Sequence, residues 1–212
     1  MRQHVLQKTV AVLGASGATG RLVIAEALAR GHRVVAVVRR PGAFEPAPAL
    51  REAVWSDVTD GAALAPALSG GDVVVSALGG AAKGPTSVCA DSMAALLLAM
   101  AGAGVRRLVA VSAHGVLETH DRSLYARAVW AGVGERMKDK EAMEALITAS
   151  DTEWTIVRPP ALKNSAATGR YRTGDSLAIR LWHSVGRADL AQFLVREAED
   201  ARYVGRYPRI RR

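Results

Sequence analysis

The sequence predicts an α/β fold, a doubly wound and mainly parallel sheet with helices on both faces. Three observations predict it. Short, nearly continuous apolar runs alternate with longer helical patterns along the 212 residues, a glycine-punctuated turn follows the first run, and the links between elements are short. Apolar runs of this kind suit parallel strands buried on both faces. Strand–helix alternation with short links implies right-handed crossovers and a single open sheet.

The first strand is expected over residues 10–13, followed by a helix over 18–30 that Gly31 terminates. Strands follow at 34–38, 73–75, 108–111 and 155–157, with a further strand ahead of Ser56. Helices are expected over 60–68, 85–103 and 135–149, and Pro85 suits the first turn of its helix. Residues 159–182 read as a loop with one or two short strands, and a last helix runs from 187 to about 198. The expectation is one domain over 1–212, with residues 159–212 contributing the substrate pocket.

Half of the residues are hydrophobic but only 5% are aromatic, so Val, Leu, Ile and Ala must build the core. The single cysteine, Cys89, permits no internal disulfide, and five scattered histidines make no metal cluster. The apolar run 93–105 is too short to cross a bilayer, and the N-terminus lacks the continuous apolar stretch of a signal peptide. No membrane association and a cytoplasmic location are expected. The net charge is +8, and 23 of the 28 basic residues are Arg. They are dispersed, with Arg39-Arg40, Arg106-Arg107 and the Arg209–Arg212 stretch as the only groupings. No nucleic-acid partner is expected from that distribution.

The strand at 10–13 runs directly into Gly14-Ala15-Ser16-Gly17-Ala18-Thr19-Gly20 and then an amphipathic helix. In a dinucleotide-binding turn, Gly14 would permit the tight bend, Gly17 the close approach of a pyrophosphate, and Gly20 the helix–strand contact. The helix then turns its positive end toward the phosphates. This Gly-x-x-Gly-x-x-Gly turn is a close relative of the dinucleotide fingerprint of Rossmann-type folds. The second strand ends Val38-Arg39-Arg40, with no carboxylate to hold a ribose hydroxyl. Two guanidiniums there suit a 2′-phosphate, so NADP(H) is the expected cofactor. Asp57-Val58, after the third strand, can meet an adenine, although Asp57 can equally cap the next helix. Ala77-Leu78-Gly79 would let the cofactor lie against the end of the fourth strand.

Gly14 to Gly20, Val38-Arg39, Asp57-Val58, the strand ending at Ser112 and Trp154-Thr-Ile-Val-Arg-Pro-Pro160 together resemble NmrA-like atypical short-chain dehydrogenases. Pro85-Thr-Ser-Val88, Thr168-Gly-Arg-Tyr171, Asp189-Leu190 and Tyr207-Pro208 are similar to the flavin reductase/biliverdin-IXβ reductase group among them. The resemblance implies an NADPH-dependent reductase, a monomer or weak homodimer, that passes hydride to a small planar substrate. It places Ser112, Lys140 and Pro159 among the cofactor contacts. The chain departs from this pattern at two places. Arg136 stands four residues before Lys140, where the wider superfamily has a tyrosine, and Pro159-Pro160-Ala161 lacks the histidine of the bilin reductases.

Three residues are catalytic candidates. Ser112 ends the fifth strand, where its hydroxyl can hold a substrate carbonyl. His114 follows in a loop and can supply a proton near neutral pH. Lys140 shares a helical stripe with Met143 and Ile147 and should point inward, either to a nicotinamide ribose or to a Glu144 partner at i+4. Tyr125 is a possible stand-in for the absent phenol. Trp130, Tyr171, Trp182 and His183 are candidates for a stacking wall, and Trp154 is expected in the core.

Overall fold

The computed structural model describes residues 6–80 and 86–212. Its elements run in the order β1 (Thr9–Leu13), α1 (Ala18–Ala29), β2 (Arg33–Val38), β3 (Leu50–Val54), α2 (Gly61–Leu68), β4 (Val73–Ser76), α3 (Val88–Ala103), β5 (Arg107–Val111), α4 (Leu124–Thr148) and β6 (Glu153–Val157). A smaller C-terminal set follows: β7 (Ala161–Lys163), β8 (Arg172–Gly174), β9 (Ser184–Gly186), α5 (Arg187–Asp200) and β10 (Arg209–Arg211). Strands β1 to β6 form one sheet in the order β3-β2-β1-β4-β5-β6, with every pairing parallel. That is the Rossmann order, and it reverses between β1 and β4, where such sheets open a crevice.

The period-2 alternation of β1 and β2 divides the core between two faces. Val10, Val12, Val34 and Ala36 pack with α1 and α5 residues, including Val23, Ala27, Leu190 and Leu194. Ala11, Leu13, Val35 and Val37 pack on the other face with residues of α2, α3 and α4, among them Leu64, Met93, Leu96 and Ile147. Cys89 is buried in that second layer, and burial pushes its thiol above the usual range. Trp154 is half-buried against Tyr207, with ring centroids 5.0 Å apart.

Helix α4 begins at Leu124, well before the expected start at 135, and the Ser123 hydroxyl accepts from Ala126 N at 3.1 Å to cap it. Non-helical Val133 (φ −141°, ψ 31°) kinks it between Gly132 and Gly134. That break, where glycines loosen the ladder, hid the first half from a periodicity argument. Helix α3 begins at Val88. Pro85, expected to open it, lies outside the described residues. Around β6, β7 pairs parallel with β9 and β8 pairs antiparallel with β10. Arg158 bridges to Arg209, which draws the β8–β10 ribbon to the sheet's β6 edge.

Candidate functional site

The turn between β1 and α1 accepts only glycine at two points. A Cβ on Gly14, at φ +70°, would stand 2.8 Å from Ala77 O, and one on Gly20 would stand 2.1 Å from Gly14 O. These contacts press the turn against the end of β4 and leave no room for a side chain. Gly17 N donates to Gly14 O at 3.0 Å and Gly17 serves as N-cap of α1, with no side chain capping the first turn. Uncapped amides at a helix N-terminus make a site for an anion.

A cleft of about 620 Å³ opens at this turn. Gly14, Ser16 and Gly17 line one side, Ala77, Leu78 and Gly79 another, and Arg39, Asp57 and Val58 the far end. The glycine cradle, uncapped amides and Arg39 guanidinium suit a dinucleotide phosphate in size and charge. Ala18, Thr19 and Gly20 form the first turn of α1 behind the cleft wall. Arg40 is an exposed turn residue outside the lining. Asp57 does not cap α2. Asp60 does, accepting Ala63 N at 3.0 Å, while Asp57 Oδ1 accepts both the hydroxyl and the amide of Thr59. Those bonds hold the Asp57 carboxyl below its usual range and leave Oδ2 available. Trp55, which was not among the residues expected at the site, also lines the cleft, and its Nε1 donates to Asp60 O at 2.8 Å. No residue of 159–212 lines it.

Ser112 lies one strand further on, at the end of β5, with its amide donating to Val157 O at 2.8 Å. It is 5% exposed, and its Oγ has no partner among the described residues. His114 N donates to Pro159 O, while its buried Nδ1 also lacks a partner among the described residues. A buried polar atom left unpaired costs about 1–3 kcal/mol, so two at one sheet edge mark a place where a polar ligand would satisfy them. Lys140 points inward as its stripe requires, but Glu144 is not its partner. Its Nζ donates to Leu78 O at 2.9 Å and Val111 O at 2.7 Å, tying the ends of β4 and β5 together. Glu144 instead pairs with Arg158. Next to Lys140, Asp139 reaches α3 and accepts the amides of Cys89 and Ala90 at 3.0 and 2.9 Å. No sequence signal marks this cap, because its acceptor comes from another helix.

Two proton-transfer expectations change. Burial, followed by the nearby Arg209 charge, pushes the His114 imidazole down to about 4. It is neutral at pH 7 and is not a source of protons there. Burial pushes the Tyr125 phenol up to about 12, which makes it a poor replacement acid–base group. The unfolded chain takes up the His114 proton near pH 6.5, whereas the folded chain refuses it until about pH 4. Stability should therefore be complete above pH 6.5 and decline as pH falls toward 4. His114→Asn should flatten that portion of a melting temperature–pH curve, and an unchanged slope would contradict the burial account.

The four candidate stacking residues do not form one wall, because Trp130 and Tyr171 pack in separate places and only Trp182 and His183 meet. Trp130 stacks on His120 with centroids 4.0 Å apart and donates Nε1 to Gly115 O. Tyr171 meets Phe193 edge-on, whereas Trp182 meets His183 and is 71% exposed. Among the described residues, no group of His, Cys, Asp or Glu could hold a metal ion, and no helix is long and apolar enough to cross a membrane.

Comparison with known proteins agrees with this geometry. A family profile described as NAD(P)H-binding matches residues 14–201. The UPF0659 protein YMR090W of Saccharomyces cerevisiae is 29% identical over 203 residues, 88% of this chain and 85% of that protein. The crystal structure of the oxidoreductase ylbE from Lactococcus lactis superposes with a TM-score of 0.82 at 18% identity, covering 95% of this chain and 90% of its own. ChuY of Escherichia coli O157:H7, described as an anaerobillin reductase, gives 0.80 at 23% identity over 95% and 96% of the two chains. At these identities the two structures share the fold.

Proposed function

Because this chain belongs to the NAD(P)H-binding family, we propose that it is an NADPH-dependent reductase of a small planar conjugated acceptor, such as a flavin, quinone or enone. The observation that carries the reading is the cleft itself. A glycine cradle, an uncapped helix start and the Arg39 guanidinium converge there, one strand away from two polar atoms, of Ser112 and His114, that are buried without partners among the described residues. The sequence resemblance to the flavin reductase/biliverdin-IXβ reductase group supports the choice of acceptor.

In this reading the Gly14–Gly20 turn and the α1 amides hold the diphosphate, and Arg39 pairs with a 2′-phosphate. When bound, the reduced nicotinamide supplies a hydride. Ser112 Oγ donates to an acceptor carbonyl, and the neutral His114 fixes a second polar atom. Lys140 keeps the ends of β4 and β5 in register through Leu78 O and Val111 O. The proton that completes reduction comes from solvent, since His114 is neutral and the Tyr125 phenol holds its proton.

The test follows absorbance as NADPH or NADH is offered with a panel of flavins, quinones and enones. NADPH should be consumed and be preferred over NADH, and Arg39→Gln should reduce that preference by about tenfold, the worth of one charged phosphate contact. Tight NADP⁺ binding without turnover across the panel would overturn the reductase reading. That result would favour a dinucleotide-sensing regulator, which one observation already suits: Arg136 stands where the wider superfamily has a tyrosine.

A further inference from the structure

The C-terminal ribbon carries an arrangement that folding alone does not explain. In the β8–β10 pair, Arg211 is directly opposite Arg172, so two guanidinium side chains leave the same face at neighbouring positions. Arg209 lies two residues from Arg211 and therefore on that same face. Like charges set opposite each other in a ribbon are unfavourable. None of the three pairs with an Asp or Glu side chain among the described residues. Arg209 NH1 donates to Leu177 O at 3.1 Å and Arg211 NH1 to Arg212 O at 3.5 Å, while Arg211 Nε is buried with no partner among the described residues. Two acids of the neighbouring segments pair with other arginines, although Asp175 Oδ1 itself is buried without a partner among the described residues. Asp175 pairs with Arg206 at 3.2 Å, and Glu118 is held by Arg158.

Backbone contacts connect this ribbon to the candidate site. Ser112 N donates to Val157 O, His114 N to Pro159 O, and Arg158 N to Pro208 O, while Arg158 bridges to Arg209. The ends of β5, β6 and β10 thus lie side by side, with Ser112 and His114 first and the arginines beyond them. The Arg209 charge is felt at His114, and those of Arg211 and Arg180 at His183. Next to His183, Trp182 presents a largely bare ring, with Arg180 5.5 Å from its centroid.

We infer that Arg172, Arg209 and Arg211 form an anion-binding site that anchors a carboxylate or phosphate group carried by the acceptor, whose polar conjugated part meets Ser112 and His114. The inference rests on the reductase reading for its second half, and it narrows the substrate class to planar acids. Each guanidinium can form paired, charge-assisted bonds to an oxyanion. An anion would also relieve the repulsion between Arg172 and Arg211. The exposed Trp182 ring offers a stacking face beside those charges.

Binding of FMN and of riboflavin, which share one ring system and differ by a phosphate, tests this on the full chain. Saturating NADP⁺ keeps the phosphate away from Arg39. FMN should bind about tenfold more tightly than riboflavin, and the double variant Arg172→Gln/Arg211→Gln should abolish that difference while leaving riboflavin affinity unchanged. Far-ultraviolet circular dichroism and the melting temperature show whether the variant is folded, and Arg206→Gln serves as a charge control that should keep the difference. Equal affinity of the wild type for FMN and riboflavin, or a preference that survives in the folded double variant, overturns the site. An FMN preference that depends on the arginines, with no NADPH consumed, would uphold the anion site and reject the reductase reading. With turnover, the double variant should raise KM for FMN and leave kcat unchanged.

Discussion

Replacement of Arg158 by Met should lower stability by about 3–5 kcal/mol, because it leaves a buried carboxylate without its counter-ion. Arg158 and Glu144 are both fully buried. The guanidinium donates Nε to Glu144 Oε1 at 3.1 Å and NH2 to Glu144 Oε2 at 2.5 Å, reaches Glu118 with NH1, and lies 4.2 Å over the Tyr207 ring. Burial alone would lower its pKa, but the two carboxylates hold it above the ordinary value. The size of the loss reflects the desolvated partner left behind more than the net worth of the pair. The double variant Arg158→Met/Glu144→Leu should therefore recover most of the stability. Urea unfolding of the wild type, both single variants and the double variant measures the coupling. A loss below about 1 kcal/mol for Arg158→Met would show that water reaches Glu144.

Gly14→Ala should cost about 2–5 kcal/mol, combining a left-handed backbone conformation with a collision against backbone. Gly14 has φ +70°, and an added Cβ would meet Ala77 O at 2.8 Å, Ala77 C at 2.9 Å and Leu78 N at 3.1 Å. None of those atoms belongs to a flexible side chain, so the end of β4 would have to move. Dinucleotide affinity should fall at least tenfold, since Ala77 and Leu78 line the same cleft. Gly17→Ala provides the contrast. Gly17 has φ −73°, and its Cβ would meet only Gly14 O at 3.1 Å. It should leave stability within about 1 kcal/mol of the wild type while weakening the dinucleotide. Thermal unfolding and calorimetric titration of the two variants separate the two roles. Equal stability losses would mean that the turn is rigid throughout.

The alternating apolar runs, the glycine turn and Arg39 were legible because each depends on local chemistry. A parallel strand must be apolar on both faces, a tight turn must accept positive φ, and a guanidinium at the end of β2 is placed by the strand itself. The order β3-β2-β1-β4-β5-β6 is that of a Rossmann-type sheet. Even the inward direction of Lys140 could be read, because Met143 and Ile147 share its stripe. Its partners could not, since Leu78 O and Val111 O are backbone atoms brought there by two other strands.

What the amino-acid order determined by itself is the α/β layering and the glycine-lined mouth of the cleft, both set by interactions within a few residues. Tertiary structure alone decided where charge is buried and what it does there. Arg158 looks like any other arginine until β6 and α4 enclose it with Glu144. His114 becomes a neutral imidazole only once burial and Arg209 surround it, and Arg172 faces Arg211 only through the register of two strands far apart in sequence. The physical reason is range: backbone preference and apolar period act between neighbours along the chain, whereas desolvation and charge act between neighbours in space.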